Sequence, residues 1–160
     1  MEVYADQESL WQVNLFRSGE KLPGNVPNGV TSQAAQQLQE YFRGTRQQFE
    51  LPLSLRGTTF QKKVWNALGQ IPYGELRSYG EIARVIRHPK AYRAVGMANH
   101  RNPLMIIIPC HRVIGAAHKL VGYAHGLQYQ QWLLDFEGGP GTVQLPEGVN
   151  NKKLSRRNQE

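Results

Sequence analysis

The sequence predicts an α+β fold: a short N-terminal β/α part, then a mainly helical region built around a winged helix-turn-helix-like unit. Three observations carry this reading. Apolar and polar residues alternate from Trp11 to Leu15, as on a half-buried strand. Two capping boxes, Thr58 with Gln61 and Ser78 with Glu81, each open onto apolar residues at helical spacing. Two short helices then follow each other across a tight turn, the pattern of a helix-turn-helix.

Taken in order, residues 10–16 read as a strand, and Pro23, Pro27 and the nearby glycines as a loop. A helix is expected over residues 32–43, where Ala34, Leu38, Tyr41 and Phe42 recur at helical spacing and Gly44 supplies the stop. The box at Thr58 opens a second helix with Phe60, Val64, Leu68 and Ile71 on one face, broken at Pro72-Tyr73-Gly74. The box at Ser78 opens a short helix that ends at His88-Pro89, because a residue before proline avoids the helical region. Residues 90–99 form the next helix. The apolar run 104–108 reads as buried extended chain leading to Cys110. Gly115 and Gly122 bracket one strand of a small hairpin at Lys119-Leu120-Val121. A last helix over residues 127–136 should bury Leu127, Trp132 and Leu134. The expected layout is an abbreviated N-terminal domain at 1–55, a second domain at 56–138, and a flexible basic tail at 139–160.

Composition narrows the function. The chain has 160 residues and a net charge of +7, which favours a polyanionic partner, nucleic acid first. The tail from Asn150 carries Lys152, Lys153, Arg156 and Arg157 against Glu160 alone, yet more than half of the excess lies elsewhere. No run approaches the roughly 20 apolar residues that span a bilayer, and residues 1–6 lack the basic and apolar regions of a secretory signal. A soluble monomer in the cytoplasm, or the nucleus of a eukaryote, is expected, with no membrane partner. One cysteine permits neither an internal disulfide nor a cysteine zinc cage, so neither a metal nor another cofactor is expected.

Chemistry concentrates at Pro109-Cys110-His111-Arg112-Val113. A free thiol with pKa near about 8.5 is only a few per cent thiolate at neutral pH. An adjacent imidazole can act as its base, provided a third group orients that base. Glu137, ending the last helix, and Asn102, before the apolar run, are the candidates. Spacing alone leaves a second reading open, in which Cys110 packs, His111 caps a turn and Glu137 is solvated.

This segment resembles the active-site signature of the O6-alkylguanine-DNA alkyltransferases, the methylated-DNA–protein-cysteine methyltransferases. Similar family segments flank it in order: Gly57-Thr58-Thr59-Phe60-Gln61, Ile71-Pro72-Tyr73-Gly74, Ser78-Tyr79-Gly80-Glu81, Arg93-Ala94-Val95-Gly96, Gly122-Tyr123-Ala124, and Trp132-Leu133-Leu134 with Glu137-Gly138. The resemblance implies direct reversal of DNA damage. Cys110 would take the alkyl group of O6-alkylguanine, and less well that of O4-methylthymine, in one irreversible turnover. His111 would act as base through a water, Glu137 would hold its other nitrogen, and Asn102 would order the turn. Tyr79 would assist the leaving guanine.

The resemblance further implies double-stranded DNA as partner, bound through the minor groove with the damaged base flipped out. Arg93 would fill the vacated space, with Ala91, Ala94, Gly96 and Ala98 small enough for close approach and Tyr79 beside them. Val113, Tyr123, Ala124 and Trp65 would form the base pocket. Some positions depart from the family. The N-terminal part is short, Ala124 replaces a serine that some members use on the leaving oxygen, and His125 stands where glycine is common, either narrowing the pocket or facing solvent. Rival readings are a damage-binding protein without transfer, which Cys110 opposes, and a plain helix-turn-helix regulator, which leaves Cys110 and His111 unexplained. A cysteine hydrolase would need an oxyanion site that no segment supplies.

Overall fold

The computed structural model describes residues 1–15, 26–139 and 143 of the chain. The chain begins with an antiparallel pair, β1 (Glu2–Ala5) and β2 (Leu10–Asn14), in the register Glu2 to Asn14 and Val3 to Val13. The sequence reading found β2 but not β1, whose four residues are too few to establish a period. Phe16, the expected end of β2, lies outside the described residues, as does Pro23. The Asp6 carboxylate closes the turn between the strands by accepting from the backbone N–H groups of Glu8 and Ser9. The outer edge of β2 is used as well. Leu10 bridges to Leu53 and Val13 to Leu104, so the N-terminal strand is tied to the chain that leads into Cys110.

Helix α1 (Gly29–Phe42) starts earlier than expected, because Asn28 forms a reciprocal capping box with Thr31. It ends as expected at Gly44, which takes a positive φ of 76° while Thr45 N–H reaches back to Glu40 O. Helix α2 (Thr59–Leu68) carries the expected Thr58–Gln61 box and buries Val64, Trp65 and Leu68. Strand β3 (Arg77–Ser78) leads into α3 (Tyr79–Val85) through the expected Ser78–Glu81 box. Arg87, at φ 62°, turns the chain toward α4 (Tyr92–His100), which packs on α2 and α3.

Two expected strands are absent. Residues 104–108 are buried throughout, but they fold into a tight loop. Ile108 N–H donates to Leu104 O, and Ile106 sits at φ 70°, a costly conformation for a β-branched residue. A uniformly apolar run has no period to separate a buried strand from a buried turn. Lys119-Leu120-Val121 forms no hairpin strand either. Ala117 and His118 both adopt left-handed backbone and swing the chain out of strand geometry. Gly115 N–H instead closes this loop on Lys119 O, and β4 (Val113–Ile114) pairs in parallel with β3.

Helix α5 (Leu127–Gly138) runs two residues past the expected end. Its inner face is Gln130, Leu133 and Leu134, whereas Trp132, expected to be buried, is exposed and stacks on Phe136. One apolar core passes through both halves of the chain, from Leu10 and Tyr41 to Ile108 and Leu133. A smaller cluster joins Ile114, Leu120 and Leu134 to Val143. Val143 lies in the segment expected to be a flexible tail, yet it is buried; the rest of residues 140–160 lies outside the described residues.

Candidate active site

Cys110, His111 and Arg112 form one 3-10 turn at the end of the buried loop. Asn102 shapes that loop. Its Nδ2 donates to Ile108 O at 2.8 Å, and its Oδ1 accepts from Leu104 N–H at 3.0 Å. From the other side Gln130 of α5 donates through Nε2 to both His111 O and Val113 O, at 3.1 and 3.0 Å. From α4, Asn99 donates to Cys110 O at 3.3 Å. Three side chains, from α4, the loop that follows it and α5, therefore hold the backbone on either side of the thiol.

The thiol is 3% exposed. Burial pushes its pKa up, against hydrogen bonds from Asn102 and Tyr123 that favour the anion. Its Sγ lies 3.9 Å from the Tyr123 hydroxyl. His111 Nε2 lies 2.8 Å from Glu137 Oε1. An ionised carboxylate only accepts, so Nε2 carries the hydrogen, and Nδ1 is left as a bare acceptor, buried and without a partner among the described residues. Burial also drives the His111 pKa down, opposed by Glu137, so imidazole and thiol are both neutral at rest.

Among the described residues, Glu137 holds the only carboxylate in this cluster. Burial alone would raise its pKa, but the hydrogen bonds from His111 and Arg112 outweigh it and hold the group far below the usual carboxylate range. Arg112 grips it with a fork, Nε to Oε2 at 2.7 Å and Nη2 to Oε1 at 2.9 Å, while Nη1 donates to Ile71 O. Gly74 N–H donates to Oε2 at 3.3 Å, and the Tyr41 hydroxyl of α1 donates to Oε1 at 2.6 Å.

Beside this cluster α4 presents a mixed outer face. Tyr92, Arg93, Ala94 and Met97 are exposed, whereas Val95, Ala98 and Asn99 turn inward. The Arg93 guanidinium lies 5.8 Å from the centroid of the Tyr92 ring. Tyr79, at the start of α3, packs its ring against Gly96, 3.8 Å from where a Cβ there would lie, and its hydroxyl donates to Val121 O at 3.2 Å.

Comparison with known families decides the lineage. Residues 59–139 match the model described as 6-O-methylguanine DNA methyltransferase, DNA binding domain, and residues 1–55 match the ribonuclease-like domain of the same description. The chain belongs to the 6-O-methylguanine DNA methyltransferase family. It is 51% identical to the methylated-DNA–protein-cysteine methyltransferase of Methanosarcina acetivorans over 83% of this chain and 88% of that one. With the protein of the same description from Methanosarcina mazei it shares 57% over 66% of each chain. Among solved structures, Mycobacterium tuberculosis OGT in complex with DNA superposes with a TM-score of 0.77 at 46% identity, over 85% of this chain and 84% of that one.

In this methyltransferase-family chain the expected residues fall into two groups. Cys110, His111, Glu137, Asn102 and Tyr123 meet at one site. Val113 directly follows the turn, fully buried. Arg93, Ala94, Ala91 and Gly96 lie on or beside the accessible side of α4, but Ala98 does not. Its position one turn after Val95 puts it in the core, so its side chain is not a DNA-facing group. Trp65 is 2% exposed and donates its ring N–H to Ala98 O, which fastens α2 to α4. Ala124 is exposed in the loop after Tyr123. His125 is partly buried with its ring edge-on to Tyr123, 5.7 Å between centroids. Sequence reasoning assigned no role to Arg112, Gln130, Asn99 or Tyr41. Arg112 lay inside the quoted motif. The others sit at helical positions whose periodicity signals burial but not what they bind.

Proposed function

We propose that this protein repairs DNA by moving the alkyl group of O6-alkylguanine, and less well of O4-methylthymine, onto Cys110 once per molecule. One observation carries the reading: the only cysteine is followed in the chain by a buried imidazole whose Nε2 is held by an ionised carboxylate and whose Nδ1 has no partner among the described residues. The description shared by its relatives, methylated-DNA–protein-cysteine methyltransferase, supports the same reaction.

The thiol proton leaves for His111 Nδ1, directly or through a water, and Glu137 stabilises the imidazolium that results. The sulfur attacks the alkyl carbon in line with its bond to O6. That bond breaks as the sulfur–carbon bond forms, and the guanine departs with the electron pair. Tyr79 supplies a proton or hydrogen bond to the leaving base, and backbone N–H groups after Tyr123 serve where Ala124 offers no hydroxyl. The thioether has no easy hydrolysis, so the protein is consumed.

A target atom inside a duplex cannot reach a thiol that is 3% exposed, so the base leaves the stack. Arg93 on the exposed face of α4 fills the gap, and Ala94, Ala91 and Gly96 permit close approach in the minor groove. Val113 and Tyr123 form the base pocket with the loop at Ala124. The protein acts as a monomer in the cytoplasm, with residues 1–55 as a supporting domain, 56–138 as the transfer domain and the basic tail adding phosphate contacts. No helix among the described residues is long and apolar enough to cross a membrane. Intact-mass spectrometry after incubation with O6-methylguanine DNA tests the proposal. The expected result is one methyl group in place of the Cys110 hydrogen and then no further reaction; no mass change, or repeated turnover, refutes it.

A further inference from the structure

We propose that Tyr41, on the N-terminal helix α1, is a positioning residue for the reaction, setting how strongly Glu137 holds the His111 proton. This rests on the His111–Glu137 reading of the site. The geometry is specific. Tyr41 is fully buried, and its hydroxyl donates to Glu137 Oε1 at 2.6 Å. That oxygen is the one that accepts from His111 Nε2. The bond joins residues 96 apart in sequence and crosses from the N-terminal part to the end of α5. The ring is fixed by edge and tilted contacts with Phe42, Phe49, Tyr73 and Phe136, so the hydroxyl has little freedom to turn away.

The consequence follows from the acceptor capacity of a carboxylate, about four lone-pair sites. Glu137 already accepts two bonds from Arg112, one from Gly74 N–H and one from His111. The bond from Tyr41 makes a fifth and draws charge from the oxygen that faces the imidazole. Removing it concentrates charge on Oε1, so the imidazolium is held more tightly. The groups that face this pair are Tyr41 from α1, Tyr73 before β3, Arg112 from the 3-10 turn and Tyr123 from the loop before α5. Burial, and then the charge of Glu137, push the Tyr41 hydroxyl far above its usual range, so it remains a donor at any working pH.

The test is Tyr41→Phe in the full chain, which keeps the ring and its packing. Two readouts are followed against pH: the rate at which iodoacetamide labels Cys110, and the ¹⁵N shifts of the His111 ring. Neither requires DNA, so a wild-type protein that transfers no methyl group would sink the proposed function while leaving this test intact. The His111 midpoint is expected to rise by about half a pH unit, roughly a threefold gain in proton affinity, with the labelling profile moving the same way. Tyr73→Phe, which removes a phenol from the same aromatic cluster without removing a hydrogen bond to Glu137, is the control. An unchanged midpoint in Tyr41→Phe, a fall, or an equal rise in Tyr73→Phe overturns the proposal.

Discussion

Replacing Glu137 by Gln tests the electrostatic centre of the site. The substitution keeps the shape and removes one charge. The Glu137 side chain has no exposed surface, and that of its partner Arg112 is 6% exposed, so no solvent screens the pair. Gln cannot balance the guanidinium, and breaking a buried pair from one side costs about 3–5 kcal/mol. For a chain of this size each kcal/mol lowers Tm by about 2–4 °C, so a drop of roughly 6–20 °C is expected. The pH dependence gives an independent check. The folded-state pKa of Glu137 is depressed, so its contribution is fully present above the unfolded carboxylate value and is lost as pH falls toward the folded one. Wild type and Glu137→Gln should therefore converge in stability as the solution is acidified below about pH 4, and diverge at neutral pH. Thermal and urea unfolding across that range measure both effects. A loss below about 1 kcal/mol at neutral pH, the size of an exposed surface pair, would refute the reasoning.

Two further outcomes are expected. Arg93→Ala should slow methyl transfer from duplex DNA by about tenfold or more, equivalent to about 1.4 kcal/mol, while leaving reaction with the free alkylated base unchanged; equal losses on both substrates would rule out its part in flipping. Gln130→Leu should strip the His111 and Val113 carbonyls of a buried donor, costing about 1–3 kcal/mol of stability in urea unfolding and slowing methyl transfer. A fully active, fully stable variant would show that Gln130 only fills space.

The helices were legible because their signals are local. Thr58 with Gln61 and Ser78 with Glu81 cap the helices they were expected to cap, since a capping box is completed within four residues. Gly44 ends α1 for a similar reason: only a residue tolerant of positive φ suits that stop. Cys110 and His111 are adjacent in the chain, so their chemistry could be read from the letters. Where the reading went wrong, the deciding interactions were distant. Residues 104–108 look like a strand until Asn102 bends them into a loop, and Trp132 looks buried until Gln130 takes the inner position on α5. Ala98 carried a family position but turned into the core, because the facing of a helix is set by what packs against it.

The sequence by itself determined the candidate nucleophile, the candidate base beside it, the helices around them and the basic charge that suits DNA, because each follows from residue type and short-range spacing. Only the tertiary structure decided that Glu137, 26 residues from His111, meets its ring at 2.8 Å, and that Arg112, Gly74 and Tyr41 converge on the same carboxylate. Such a meeting depends on how α1 and α5 pack against a common core, and burial is what makes the resulting charge strong enough to matter.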